Sequence, residues 1–258
     1  MKCEKLKEEK KRGKLSFLLK GSNEVFANTI RRLIIEEVPT LAVDDLEIKE
    51  NSSALYDEML GLRLGLLPIK TDLKSYRLPK SEDEINEKSA SCTLQLKLKA
   101  GKKGYVYAGD AESADPKCTF VHAGMPVVKL LSKQKVDLTM TAVMGQGKDH
   151  AKWMPGLAAY KREPLVKVGK VQHPQKLAEL CTDGVFKVKD NKVELVADKI
   201  YDSLLLEVYA EADEGIQLDY SDNFIFTVES WGQLSCKEML TKSAEILAEK
   251  VEELEKQL

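Results

Sequence analysis

Apolar residues recur along this chain with two different periods, and the change from one to the other sorts the elements. Residues 14–20, KLSFLLK, form a short apolar run between Gly13 and Gly21, which suits a β-strand. The period then lengthens: Phe26, Ile30, Leu33, Ile34 and Val38 fall on one face of a helix. Ser22 is placed to cap that helix, Glu24 stands favourably in its first turn, and Pro39 stops it. Leu46 and Ile48 alternate with charged residues, as in a half-buried strand. Asn51-Ser52-Ser53 offers caps for a second helix carrying Leu55, Met59, Leu62 and Leu66 on one side, with Pro68 near its end.

Residues 72–91 are polar and read as a linker or excursion. Two clear strands come next. Leu94, Leu96 and Leu98 alternate with polar neighbours, and so do Val136, Leu138, Met140 and Ala142. YVYAGD and PVVKLL lie between them, so the middle of the chain predicts antiparallel β, ending in the Gly-rich turn GQGKDHAKWMPG. Residues 165–223 are the least regular: VFKVKD and KVELV suggest strands, and DKIYDSLLLEVYAEA fits either type.

Order returns at FIFTVE, where Phe224, Phe226 and Val228 alternate until Gly232 breaks the strand. Ser235-Cys236-Lys237-Glu238 is a capping box opening a long helix. Its residues Leu240, Ala244, Leu247, Val251, Leu254 and Leu258 are spaced 4, 3, 4, 3, 4, a heptad seam. Such a seam faces either a helix of its own chain or a partner's. Its continuation to the last residue, on a helix roughly 30 Å long, favours the partner.

Composition narrows the classes. With 43% hydrophobic and 32% charged residues and a formal net charge of −2, the chain looks like an ordinary cytoplasmic globular protein. No apolar run approaches the roughly 20 residues of a membrane span, and no apolar segment comes after the basic N-terminus as a signal would require. A free-standing nucleic-acid binder would show a basic excess or stripe. Basic residues prevail only in MKCEKLKEEKKRGK, which reads as a solvated arm. The five cysteines are dispersed, without a CxxC pair, and His122, His150 and His173 are scattered in loop-like contexts. No catalytic constellation emerges: there is no nucleophile elbow, phosphate loop or HExxH pair. Asp44-Asp45 and Asp57-Glu58 are adjacent, so they point apart and make poor paired acids.

Residues 26–69, FANTIRRLIIEEVPTLAVDDLEIKENSSALYDEMLGLRLGLLPI, are specific. Ala27-Asn28, Arg31-Arg32, Glu37-Val38-Pro39-Thr40, Asn51-Ser52-Ser53, Asp57-Glu58 and the exit Gly65-Leu66-Leu67-Pro68 together resemble the first signature block of the D-type subunits of archaeal DNA-directed RNA polymerase. That family is related to the third-largest subunit of eukaryotic RNA polymerase II and to the N-terminal domain of the bacterial alpha subunit. GQGKDHAKWMP and FIFTVESWGQL agree with it in order, so the resemblance spans most of the chain.

The resemblance implies an α+β fold with three parts. Residues 1–50 and 224–258 would form a dimerisation domain of two long helices on an antiparallel sheet. Residues 51–165 would be an inserted β-rich domain, and 166–223 a degenerate ferredoxin-like segment. It implies a non-catalytic scaffold that heterodimerises with subunit L, is joined by subunits N and P, and docks the large catalytic subunits, meeting DNA only within the assembled polymerase. Phe26, Ile30, Leu33 and Ile34 and the C-terminal seam would bind the partner. Arg31 and Arg32 fall off the apolar stripe. They read as a solvated face or, as the resemblance favours, as a contact to a large subunit through planar guanidinium groups.

Many members of that family hold one or two iron–sulfur clusters in the ferredoxin-like insertion. Here Cys181, in ELCTDGVF, is a possible orphan of the ligand set. A cluster needs about four thiolates, so neither metal nor cofactor is expected. A redox protein built on this segment is the alternative function. A nucleic-acid module and a stand-alone enzyme have less in their favour.

Overall fold

The computed structural model describes residues 1–189 and 192–258, so Asp190, which ends the VFKVKD reading, lies outside the described residues. In chain order the elements begin with β1 (Lys2–Glu9), β2 (Lys14–Lys20), α1 (Glu24–Arg32), a π-turn (Leu33–Glu37), β3 (Thr40–Asn51), α2 (Asp57–Gly65) and α3 (Glu82–Asn86). Then come β4 (Thr93–Ala100), β5 (Gly104–Tyr107), β6 (Glu112–Ser113), β7 (Pro126–Leu130), β8 (Val136–Gly145) and β9 (Gly156–Val168). The last are α4 (Pro174–Leu180), β10 (Phe186–Lys189), β11 (Lys192–Leu195), α5 (Ala197–Ile200), α6 (Leu206–Ala212), β12 (Ile216–Ser230) and α7 (Cys236–Gln257). The fold is α+β with antiparallel sheets, as the alternating periods require.

Two compact units divide the chain. Met1–Lys7, Ser16–Asn28 and Ala159–Thr227 form the first; Glu8–Leu15, Thr29–Ala158 and Val228–Leu258 form the second. The first holds a four-stranded sheet in the order β1-β2-β12-β9. Phe17 stacks on Phe226 at 5.4 Å between ring centroids, and Tyr160 meets Phe224 edge-on at 5.8 Å. Glu163 is buried in this sheet but not stranded, because Tyr201, Ser221 and Asn223 all donate to its carboxylate.

The expected solvated arm is in fact strand β1, at the edge of that sheet. Its charges misled the sequence reading: an edge strand shows solvent a row of side chains and needs few apolar ones.

Residues 174–216 surround a core of their own, built from Leu177, Val185, Phe186, Ile200, Leu206, Tyr209 and Ile216. The two expected strands are the hairpin β10–β11, and the ambiguous DKIYDSLLLEVYAEA yields α5 and α6.

In the second unit the sheet order is β3-β8-β4-β6. β3 begins earlier than Leu46 and Ile48 suggest and pairs along most of its length with β8, Leu41 opposite Met144 and Ile48 opposite Leu138. The apolar sides of β4 and β8 bury Leu94, Leu96, Leu98, Leu138 and Met140, and β5 pairs with β7 beside them. The polar excursion at 72–91 is ordered: Tyr76 is buried, and Arg77 grips Glu84 through two hydrogen bonds of 2.9 and 2.7 Å.

Helix α2 turns the other way from the sequence reading. Leu60 and Leu64 point into the core, while Met59, Leu62 and Leu66 point outward. Asn51 and Ser53 do not cap it; they close a local loop in which Asn51 donates to Asp57 and Ser53 to Asn51. Both flanks of α2 are apolar, so periodicity alone could not choose between them.

Candidate docking surface

The expected surface starts at α1. Its cap is Asn23, whose side-chain oxygen accepts from the Phe26 amide at 2.8 Å. Ser22, the expected cap, instead has its hydroxyl buried without a hydrogen-bond partner. Ala27 is fully buried, and Phe26 and Ile30 are half-buried. The helix then widens into the π-turn, where Val38 donates five residues back to Leu33 at 3.1 Å. One extra residue in the turn rotates the facing of the chain beyond it, and Leu33, Ile34 and Val38 all become buried.

Arg31 is half-buried and Arg32 is exposed. The Arg32 guanidinium is held by Glu36 through hydrogen bonds of 3.1 and 3.0 Å, and that pairing keeps the Glu36 carboxyl below its ordinary value.

Glu37, which the sequence reading passed over, ties three segments together. Lys250 of α7 donates to it at 2.7 Å, Lys148 at 3.4 Å, and Gln146 donates to its backbone oxygen at 2.8 Å. Burial pushes the Glu37 carboxyl up, but the hydrogen bond from Lys250 and the charges of Lys148 and Lys250 outweigh it and hold the group below its ordinary value.

The GQGKDHAKWMP turn is thus a clasp on the end of the π-turn. A Cβ at Gly147 would run into the carbonyl oxygen of Ile35, and one at Gly145 into the Trp153 ring. Trp153 donates to Val143 at 3.0 Å and accepts from Thr40 at 2.7 Å. Gly147 was visible in the sequence, but the Ile35 backbone it had to admit lies about a hundred residues away.

The capping box of α7 forms as read: the Ser235 hydroxyl accepts from the Glu238 amide at 3.2 Å, and the Glu238 carboxylate accepts from the Ser235 amide at 2.8 Å. α7 rests on the π-turn with Met239, Ser243 and Ile246, all buried. The heptad seam lies one position round the helix from that line. Leu240 and Leu247 are half-buried, Ala244 is exposed, Val251 and Leu254 are 56% and 58% exposed, and Leu258 is fully exposed. The core face and the seam are therefore different faces.

The remaining candidates form no site. Asp44 pairs with Lys152, Asp57 with Asn51, and the His150 ring caps a short turn by accepting from Lys152. The thiols do not fit an iron–sulfur cluster. Cys181 accepts from the Phe186 amide at 3.2 Å and lies 3.5 Å from the Asp183 carboxylate, and no other cysteine belongs to its unit apart from Cys3. Among the described residues no three His, Cys, Asp or Glu side chains gather as metal ligands, and no helix is long and apolar enough to cross a membrane.

Known proteins match this chain over most of its length. The RNA polymerase Rpb3/Rpb11 dimerisation domain matches residues 16–251. DNA-directed RNA polymerase subunit Rpo3 of Methanosarcina mazei is 34% identical over 244 residues, covering 92% of this chain and 91% of that one. The Rpo3 subunits of Pyrococcus furiosus and Archaeoglobus fulgidus are 35% and 34% identical, covering 95% and 96% of this chain and 92% and 95% of theirs.

Proposed function

The chain belongs to the RNA polymerase Rpb3/Rpb11 dimerisation-domain family, as an assembly subunit of DNA-directed RNA polymerase, and we propose that it heterodimerises with the smaller subunit L through the seam of α7. The observation that carries this reading is the division of α7 into two apolar lines. Met239, Ser243 and Ile246 are used on its own core; Leu240, Ala244, Leu247, Val251, Leu254 and Leu258 are largely not. A stable protein pair buries about 800 Å² per partner, and an extended helical seam is a natural source of such area.

Residues 1–50 and 224–258 act as the dimerisation domain, with Phe26, Ile30, Leu33 and Ile34 shaping the helix beside the seam. Residues 51–165 are the inserted domain, and 166–223 the ferredoxin-like insertion without cluster ligands. Once paired, the chain takes up subunits N and P and then the large subunits, where the nucleotidyltransferase active site lies. Arg31 and Arg32 reach a large subunit, and Glu36 holds the Arg32 guanidinium oriented while 60% of that side chain stays exposed. DNA is met only in the assembled enzyme, in the cytoplasm.

Co-expression with a candidate L subunit followed by gel filtration tests this. Co-elution at the mass of a heterodimer is expected. A solitary, stable monomer indifferent to that subunit would overturn it.

A further inference from the structure

We propose that the outward flank of α2 and the basic cavity into which it runs form a second docking surface, taking an apolar polypeptide segment that carries carboxylates and comes from another polymerase subunit. This rests on the assembly reading above but uses a surface to which α7 contributes nothing.

Helix α2 is apolar on two sides. Leu60 and Leu64 are fully buried in the core, while Tyr56 just before the helix, Met59, Leu62 and Leu66 are 78%, 48%, 56% and 56% exposed. Their spacing of three, three and four residues makes one stripe, roughly 15 Å long. A helix apolar on two sides has a second face to bury, so the outward stripe is half of a contact.

Leu66 ends the stripe and also lines a cavity of about 730 Å³. Pro68, Val121, Met125 and Trp231 continue the apolar wall. Lys10, Lys11, Arg12 and Lys152 supply four positive charges around it, against one carboxylate, Glu229. Arg12 is answered by Glu9 at 3.5 Å and Lys152 by Asp44, whereas Lys10 and Lys11 have no carboxylate partner among the described residues. Gln233 also lines the cavity and is only 4% exposed. Its amide nitrogen reaches Thr40 at 3.5 Å, but its Oε1 has no partner at all. A buried acceptor left open is costly and calls for an N–H donor.

These three features select the occupant. Aliphatic and thioether side chains suit an apolar peptide face, the uncompensated lysines suit its carboxylates, and the orphan Gln233 oxygen suits a backbone or side-chain N–H. A nucleic-acid strand would use the lysines, but aliphatic and thioether side chains outnumber the rings on which bases could stack, and a phosphate has no N–H to give the Gln233 oxygen.

The test uses the full chain paired with its L subunit and then assembled into polymerase. Leu62→Asp and the double substitution Lys10→Glu/Lys11→Glu alter exposed residues only. Both should pair with subunit L like the unaltered chain, yet lose at least tenfold in yield of assembled polymerase, and the losses should be restored by neither high salt nor excess L. In unaltered polymerase, a carbodiimide should link Lys10 or Lys11 to an Asp or Glu of another polypeptide. Assembly of both variants at the unaltered yield overturns the proposal while leaving the pairing reading intact. Ultraviolet cross-linking of this cavity to nucleic acid, without carbodiimide links, overturns the polypeptide assignment. Failure of the unaltered chain to pair at all strikes the assembly reading instead.

Discussion

Lys250 reaches back 213 residues to donate to Glu37 at 2.7 Å, joining the long C-terminal helix to the turn that ends the first helical segment. Glu37 also receives Lys148 and Gln146, so one carboxylate holds together three stretches of chain far apart in sequence.

Glu37→Gln should therefore destabilise the protein by about 1 kcal/mol, a fall in Tm of roughly 2–4 °C, since Lys250 and Lys148 are both about half-exposed and solvent screens them. The Glu37 carboxyl sits below its ordinary value of 4.5. A depressed carboxyl contributes its stability above the unfolded-state value and loses it as pH falls through the folded-state value. The Tm difference between the two proteins should accordingly be full near neutral pH and vanish under acid conditions. Calorimetry across that range checks it, and a difference that persists unchanged in acid would refute it.

The clasp gives a steric prediction. Gly147→Ala places a methyl group against the Ile35 carbonyl and should cost about 2 kcal/mol, whereas Gly124→Ala, with nothing within 4 Å of its new methyl, should cost far less. Denaturant unfolding of the two variants provides the comparison. Equal midpoints would mean that the clasp yields freely.

Pairing should respond to the seam and not to surface charge at large. Leu247→Asp and Leu254→Asp should each weaken heterodimer formation with subunit L by more than tenfold, and Phe26→Asp should also abolish it. Lys133→Ala should have no effect. Leu254 is the cleaner probe because it is 58% exposed, so its change leaves the chain's own core alone. Pairing that survives all three charges would remove α7 from the interface.

In the 174–216 segment a half-buried anchor is Asp183, which accepts from Ser203, from Tyr209 at 2.9 Å and from the Val185 amide at 3.2 Å. Burial raises its carboxyl, and those hydrogen bonds more than reverse the rise. Asp183→Ala should open this segment by about 2 kcal/mol, seen as faster amide exchange around Val185 and Tyr209. Unchanged exchange there would mean that the apolar core suffices. A chelator should leave Tm unaltered, and protein purified without oxygen should carry no stoichiometric iron.

Much of this was legible because some signals are local. The capping box of α7 needs only Ser235 and Glu238, and the alternations around Leu96 and Met140 read directly as β4 and β8. The heptad spacing marked the seam, but the core line of Met239, Ser243 and Ile246 one residue away, with a serine in its middle, came only from the structure. Other features were set by distant chain. Both flanks of α2 are apolar, and only the sheet beneath decided that Leu60 and Leu64 go inward. Ser22 and Asn23 are equally good caps on paper; the backbone chose Asn23. The π-turn leaves no periodic trace, because it consists of a single added residue. Glu37 looked like one surface carboxylate among many until its partners arrived from residues 146, 148 and 250.

Strand β1 has a consequence for how this protein can meet others. Its sequence, KCEKLKEE, offers almost no grease, and Lys20 already grips Glu4 at 2.7 Å. A second copy trying to extend the sheet there would have to bring charge against charge and strip water from both rows. Strand addition along this margin is thereby discouraged, and the molecule is steered away from ribbon-like self-stacking toward recognition by side-chain shape.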